Sequence, residues 1–245
     1  MNNIIELKNI SFSAQDDRKV VQGVSVDFTP GKTTAIVGPS GGGKSTVLKL
    51  SAGLLVPQQG DVFYYGKNIA YMSKAENLEF RRESAFVFQD SALWANQDLY
   101  QILELPLRVH YPQMAKKERA ERIREVTVQA GYKRNLDIRP SRLSMGEQKL
   151  IAFARAMLCN PSLLFLDEWT ESLDETSADR LIKIIKEKQK EGISILFVCH
   201  DMRIIKDIAD YIVVIVDGKV AFKETKENVV NDAELSNYLR MGMAL

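Results

Sequence analysis

Apolar residues fall along the chain in two spacings. Residues 4–7, 33–37, 85–88, 163–166, 193–198 and 211–216 form short runs, several apolar at consecutive positions. Such runs predict strands covered on both faces, as in a parallel sheet. Between them the spacing is helical: in 175–190, Ala178, Leu181, Ile182 and Ile185 follow the i, i+3, i+4, i+7 pattern of one buried face. Alternation of strands and helices predicts βαβ units, hence an α/β fold. Segments 20–28 and 61–65 predict an antiparallel flank to that sheet. From about 91 to 159 the pattern is helical with no strand, which predicts a helical subdomain inserted into a core of 1–90 and 160–245. Within it, KKERAERIREVTV mixes both charge signs, as a solvated helix face does.

Composition adds limits. At roughly 150 residues per domain, 245 residues fit one domain carrying a lobe. Hydrophobic and charged fractions of 45% and 27% exclude a disordered chain. The 33 Lys and Arg against 32 Asp and Glu leave a net charge of +1, so no nucleic-acid partner is expected. Glu6 interrupts what would be the apolar stretch of a secretory signal, and the run 211–216 is closed by Asp210 and Asp217, well short of a membrane span. Cys159 and Cys199 lack metal-ligand spacing and read as small buried residues of a protein from a reducing cytoplasm.

The chemistry starts at Gly38-Pro39-Ser40-Gly41-Gly42-Gly43-Lys44-Ser45, a full match to GxxxxGK[ST] between a predicted strand and a helix beginning at Thr46. Glycines let successive backbone N–H groups turn into one anion-sized hollow. The following helix adds its positive end, Lys44 a charge for the β- and γ-phosphates, and Ser45 a hydroxyl for Mg²⁺. A P-loop also needs a carboxylate-bearing strand, and Leu163-Leu164-Phe165-Leu166-Asp167-Glu168 supplies one. Asp167 is placed to hold Mg²⁺, and Glu168 to act as general base or to orient the attacking water. Alone, the two acids would read as an exposed strand end; beside a P-loop they read as catalytic.

These motifs, with several others in the same order, make the chain resemble the ATPase subunits of ABC transporters over nearly its whole length. Gln89 in Phe88-Gln89-Asp90 corresponds to the Q-loop, and Leu143-Ser144-Met145-Gly146-Glu147-Gln148 to the signature motif. Ser172-Leu173-Asp174 resembles the D-loop, and His200 in Cys199-His200-Asp201 the switch histidine. Phe12 stands where the family places an aromatic residue that stacks on adenine. Ser144-x-x-Glu147 is also a capping box, and the two readings are compatible. The GTPase signal Asn-Lys-x-Asp is absent, which favours ATP.

The resemblance implies a P-loop NTPase (RecA-like) fold and an ATP- and Mg²⁺-dependent ATPase. Two copies, or a copy and a paired subunit, would sandwich two ATP, each between one P-loop and the other chain's Ser144 and Gly146. Gln89 would join Ser45 and Asp167 at the metal, and Gln89 and His200 would assist Glu168 and Lys44 in catalysis. Residues 91–111 would receive a separate integral membrane permease, which places the chain on the cytoplasmic face of the membrane. Three positions depart from the pattern: Met145 for Gly, Glu147 for Gln, and Trp169 for the Pro after the catalytic Glu. They read as tuning of rate. Phe-Gln-Asp-Ser-Ala-Leu-Trp, Leu105-Pro106-Leu107-Arg108 and the ending with Tyr238-Leu239 are similar to ATPases of MCE-associated lipid-transport systems. The alternatives are a soluble ABC ATPase of an assembly system, such as an iron–sulfur scaffold, and a nucleotide-binding module with little turnover.

Overall fold

A computed structural model describes residues 3–14 and 18–232; Tyr238 and Leu239 lie outside them. In chain order the strands are β1 (Ile5–Ser13), β2 (Lys19–Phe28), β3 (Thr33–Val37), β4 (Gln59–Tyr64), β5 (Lys67–Asn68), β6 (Ser84–Val87), β7 (Leu163–Asp167), β8 (Ser194–Val198), β9 (Tyr211–Val216) and β10 (Lys219–Thr225). The helices are α1 (Lys44–Ser51), α2 (Lys74–Glu83), α3 (Leu99–His110), α4 (Lys116–Ala130), α5 (Met145–Met157), α6 (Glu175–Lys190), α7 (Met202–Ile208) and α8 (Lys226–Asn231). They cluster in two compact units, one of residues 1–77 and 189–245, the other of residues 78–188.

The first unit holds an antiparallel sheet in the order β2-β1-β4-β5, the flank expected from segments 20–28 and 61–65. Its second set of strands runs β10-β9-β3-β8, with β3 parallel to both β8 and β9. Every residue of β3 and β8 is buried, which is why, after their polar first residues, the sequences are apolar without alternation. Each fully buried Ile or Val contributes roughly 1.5–3 kcal/mol, so Ile36 and Val37 hold the strand that leads into the P-loop. Its polar start is satisfied too: Thr33 N donates to Asp210 Oδ2 at 2.8 Å, and Gln189 Nε2 to Thr33 Oγ1 at 2.7 Å. The expected helix at 46–53 begins two residues earlier, at Lys44.

The second unit pairs β6 with β7 in parallel and carries α3, α4 and α5; between β6 and β7 there is no strand. It extends past the 91–159 stretch at both ends, since β6 and β7 cluster with these helices. Asp98 and Gln101 form a capping box at the start of α3. Gly131, at φ 102°, ends α4 in the left-handed conformation that favours glycine. Arg119 and Glu104 join α4 to α3 at 3.0 Å, both largely shielded from water. α5 is the most buried of the three, with eight buried residues including Ile151, Ala152 and Phe153.

Candidate functional site

In the first unit the chain leaves the carboxyl end of β3 and turns at once. Gly38 has φ 142°, and a Cβ there would stand 2.0 Å from the Ile215 carbonyl oxygen. Gly43, at φ 97°, is the N-cap of α1, and its Cβ would stand 2.6 Å from Val20 O. Both positions are closed to any side chain, which gives the glycines of the motif a steric cause. Between them Gly42 N donates to Pro39 O at 3.1 Å, and Gly218 N donates to Gly42 O at 3.0 Å, tying the loop to the β9–β10 turn. No side chain caps α1, so the positive end of its dipole faces the loop.

Lys44 is only 6% exposed, and its Nζ donates to Pro39 O at 2.8 Å. The ammonium is therefore folded back over the loop that would hold phosphate. Beside it lies a cavity of about 390 Å³ lined by Phe12, Val20, Gly43, Lys44, Ser45 and Thr46, with Arg18 and Lys19 adding charge to its wall. One apolar ring, several backbone groups and three cations suit a base attached to a polyphosphate. Gly43→Ala is expected to cost about 1–3 kcal/mol in stability through φ strain and the Val20 clash, lowering Tm by several degrees in a thermal melt.

Cα register places Ile36 of β3 beside Val198 of β8, and the two strands are parallel. Gly38 and His200 therefore leave adjacent strands at the same end, the carboxyl end where α/β folds bind ligands. His200 is exposed, between buried Cys199 and Asp201. Asp201 caps α7 by accepting from Arg203 N at 2.8 Å, and the Arg203 guanidinium holds its carboxyl below the usual range. That cap fixes where the histidine's strand ends.

The second unit repeats the arrangement. Val87 of β6 lies beside Leu166 of β7, again in parallel, so Gln89 and the Asp167-Glu168 pair emerge at one edge. Asp167 is 1% exposed. Glu168 takes φ 44°, uncommon for a residue with a side chain, and begins a turn in which Glu171 N donates to Glu168 O at 3.2 Å. Gln89 Nε2 donates to Glu171 Oε2 at 3.1 Å. The turn ends at Asp174, whose carboxylate accepts from Ser177 N (2.9 Å) and Ser177 Oγ (2.7 Å); these bonds lower its pKa and start α6.

Ser144 heads α5 with both halves of the capping box formed: Glu147 N donates to Ser144 Oγ at 3.2 Å, and Ser144 N to Glu147 Oε2 at 2.9 Å. Hydrogen bonding from Ser144, then pairing with Arg134, lowers the Glu147 pKa. A depressed carboxylate stabilises the fold fully above its unfolded pKa and loses that contribution as pH falls through the folded value, so the cap is intact at neutral pH. Met145 is 71% exposed beside this intact cap. Gly146 lies where a Cβ would come within 3.0 Å of Ser172 O, so the helix and the turn after Glu168 meet backbone to backbone. Trp169 is fully buried and stacks on Phe153 of α5, with centroids 6.0 Å apart at 26°; its indole Nε1 has no hydrogen-bond partner among the described residues.

The predicted residues thus fall into two sets. Phe12, residues 38–46 and His200 belong to the first unit, and Gln89, Ser144, Gly146, Asp167 and Glu168 to the second. Sequence reasoning passed over Lys149, a buried lysine of α5 whose Nζ donates to the carbonyls of Phe88 and Gln89. Its only signal was a cation inside the apolar stretch of that helix. Among the described residues no three His, Cys, Asp or Glu side chains come together as a metal cage. Ser45 in the first unit, and Gln89 and Asp167 in the second, each offer a hard oxygen donor of the kind Mg²⁺ takes beside waters and substrate phosphates.

Residues 21–171 match the family model described as ABC transporter. The intermembrane phospholipid transport system ATP-binding protein MlaF of Haemophilus influenzae is 32% identical over 240 residues, 95% of this chain and 88% of its own. The energy-coupling factor transporter ATP-binding protein EcfA of Methanothermobacter thermautotrophicus is 32% identical over 234 residues, 95% of this chain and 74% of its own. Among solved structures, the dimeric post-hydrolysis state of the ATP-binding cassette MJ0796 bound to ADP and Pi superposes with a TM-score of 0.82 at 28% identity, covering 90% of this chain and 98% of that one.

Proposed function

Because the chain belongs to the ABC transporter family and is one of its ATP-hydrolysing cassettes, we propose that it is the energy-coupling subunit of a transporter, working in pairs on a separate membrane permease. The observation that carries this reading is the P-loop itself: glycines closed to side chains, a nearly buried Lys44 folded over them, and a nucleotide-sized cavity alongside.

In this reading Phe12 stacks on adenine, while the loop N–H groups, the α1 dipole and Lys44 neutralise the polyphosphate. Ser45, Gln89 and Asp167 would hold Mg²⁺, which when bound would neutralise charge on the phosphate oxygens. Glu168 takes the proton of the attacking water, and His200 steadies the γ-phosphate end. Ser144 and Gly146 present the start of α5 to the ATP of the opposing chain. Each site then needs both chains, so ATP binding favours closure and hydrolysis permits opening.

No helix among the described residues is long and apolar enough to cross a membrane. In this reading a separate permease spans the membrane, and this chain docks on its cytoplasmic face. Residues 91–111, with Trp94 46% exposed at their start, form the docking segment. A lipid is the proposed cargo, supported by the 86–111 stretch and by the MlaF relative; the equally identical EcfA shows that identity alone does not choose it. Capture of the natively expressed, tagged chain from solubilised membranes is expected to bring down a polytopic membrane protein with co-purifying phospholipid. Recovery of soluble partners alone would overturn the transport reading, and a permease without lipid would overturn the cargo.

A further inference from the structure

Lys149 lies in the middle of α5 with only 2% of its surface exposed. A buried ammonium is costly unless its hydrogens are used, and burial pushes its pKa down against the opposing pull of Glu171, Asp167, Asp90 and Glu168. Its Nζ donates to two main-chain carbonyls, Phe88 at 3.2 Å and Gln89. Those carbonyls belong to the turn that leaves β6 and carries the Gln89 side chain. From there a line of contacts continues: Gln89 Nε2 donates to Glu171 Oε2 at 3.1 Å, and Glu171 N to Glu168 O at 3.2 Å.

A second cation of the same helix holds the next part of the turn. Arg155 donates to Ala92 O at 2.7 Å and to Ser91 O at 3.2 Å. Ser91 and Ala92 stand at φ 63° and 45°, a left-handed pair that non-glycine residues adopt only when their surroundings enforce it. The turn is thus strained, held by the buried Lys149 and the half-buried Arg155 of one helix, and aimed by them at the turn after β7.

We propose that Lys149 is a positioning residue for ATP hydrolysis, fixing Gln89 against the Glu168 turn so that the helix headed by Ser144 and the Gln89 turn move as one body. The role rests on the ATPase reading above and is exerted through Gln89. Methionine matches the length of the lysine stem but offers no donor, so Lys149→Met leaves the Gln89 carbonyl without its partner, while Phe88 O keeps only Ser91 N at 3.1 Å.

Kinetics and hydrogen exchange on the full chain test this. Lys149→Met is expected to lower kcat about tenfold with KM for ATP within about twofold, and Lys149→Arg to recover most of that loss. On a Gln89→Ala background the same substitution should cost less than about twofold. Amides of residues 88–94 should exchange about tenfold faster or more in Lys149→Met; where that variant folds poorly, Lys149→Gln, which keeps a donor, should show smaller changes in the same direction. Unchanged kcat, multiplicative losses in the double variant, or unchanged exchange at 88–94 would each overturn the role. Absent turnover in the wild-type chain would instead count against the ATPase reading, while the exchange measurement still decides what Lys149 holds.

Discussion

Glu168→Gln is expected to reduce steady-state ATP hydrolysis by about 10²–10⁴-fold while ATP still binds. The substitution keeps the size and hydrogen-bonding reach of the side chain and removes only its ability to take a proton. The backbone at 168 already sits at φ 44°, and the turn behind it is closed by Glu171 N on Glu168 O, so the glutamine inherits the same position. In the proposed function phosphate is bound elsewhere, by Lys44 and the glycine loop of the first unit, whose geometry the substitution does not touch. The variant should therefore accumulate the ATP-bound, closed pair. Phosphate release measures the first effect, and an ATP-dependent shift to dimer on gel filtration the second. Wild-type-like turnover would remove Glu168 from its role, leaving His200 as the candidate base. Loss of ATP binding would mean instead that the turn had collapsed.

What could be read beforehand follows from how local each signal was. The P-loop was legible because its chemistry depends on contiguous residues: glycine where φ is positive, lysine next, a buried strand before. The parallel strands were legible because burial on both faces confines polar residues to the first one or two positions of β3 and β8 and leaves β9 almost wholly apolar. α2 was missed because its burial rests on Phe80 alone, so no apolar face recurs along it. β10 was missed for a related reason: as a half-buried edge strand, KVAFKET takes its conformation from pairing with β9 rather than from its own pattern.

The departures from the family pattern divide in the same way. Met145 projects into solvent from an intact helix cap, so the change leaves the Ser144–Glu147 bonds in place. Trp169 does more. It fills the space beneath α5 against Phe153, a packing role that no reading of its neighbours in sequence would assign. Lys149 was illegible for the plainest reason: its partners lie about 60 residues earlier, and only the fold brings them within reach.

Lys44→Ala is expected to weaken ATP binding about 30- to 150-fold, the equivalent of losing one charge-assisted contact of about 2–3 kcal/mol. Two features of the site set that size. The ammonium is 6% exposed, so its attraction for phosphate is little screened by water, and the Pro39 carbonyl already holds it over the loop, so little side-chain entropy is lost on binding. Removing it should leave the fold nearly unchanged, because alanine suits the first turn of α1 and a costly buried charge disappears with the lysine. Lys44→Arg should fail to restore affinity despite keeping the charge, since a planar guanidinium cannot take the place of a compact ammonium folded back onto Pro39. Calorimetric titration of ATP into the two variants, with thermal melts alongside, separates these effects. Unchanged affinity in Lys44→Ala would remove the phosphate cradle from the site, whereas a large fall in Tm would make the lysine a structural residue first.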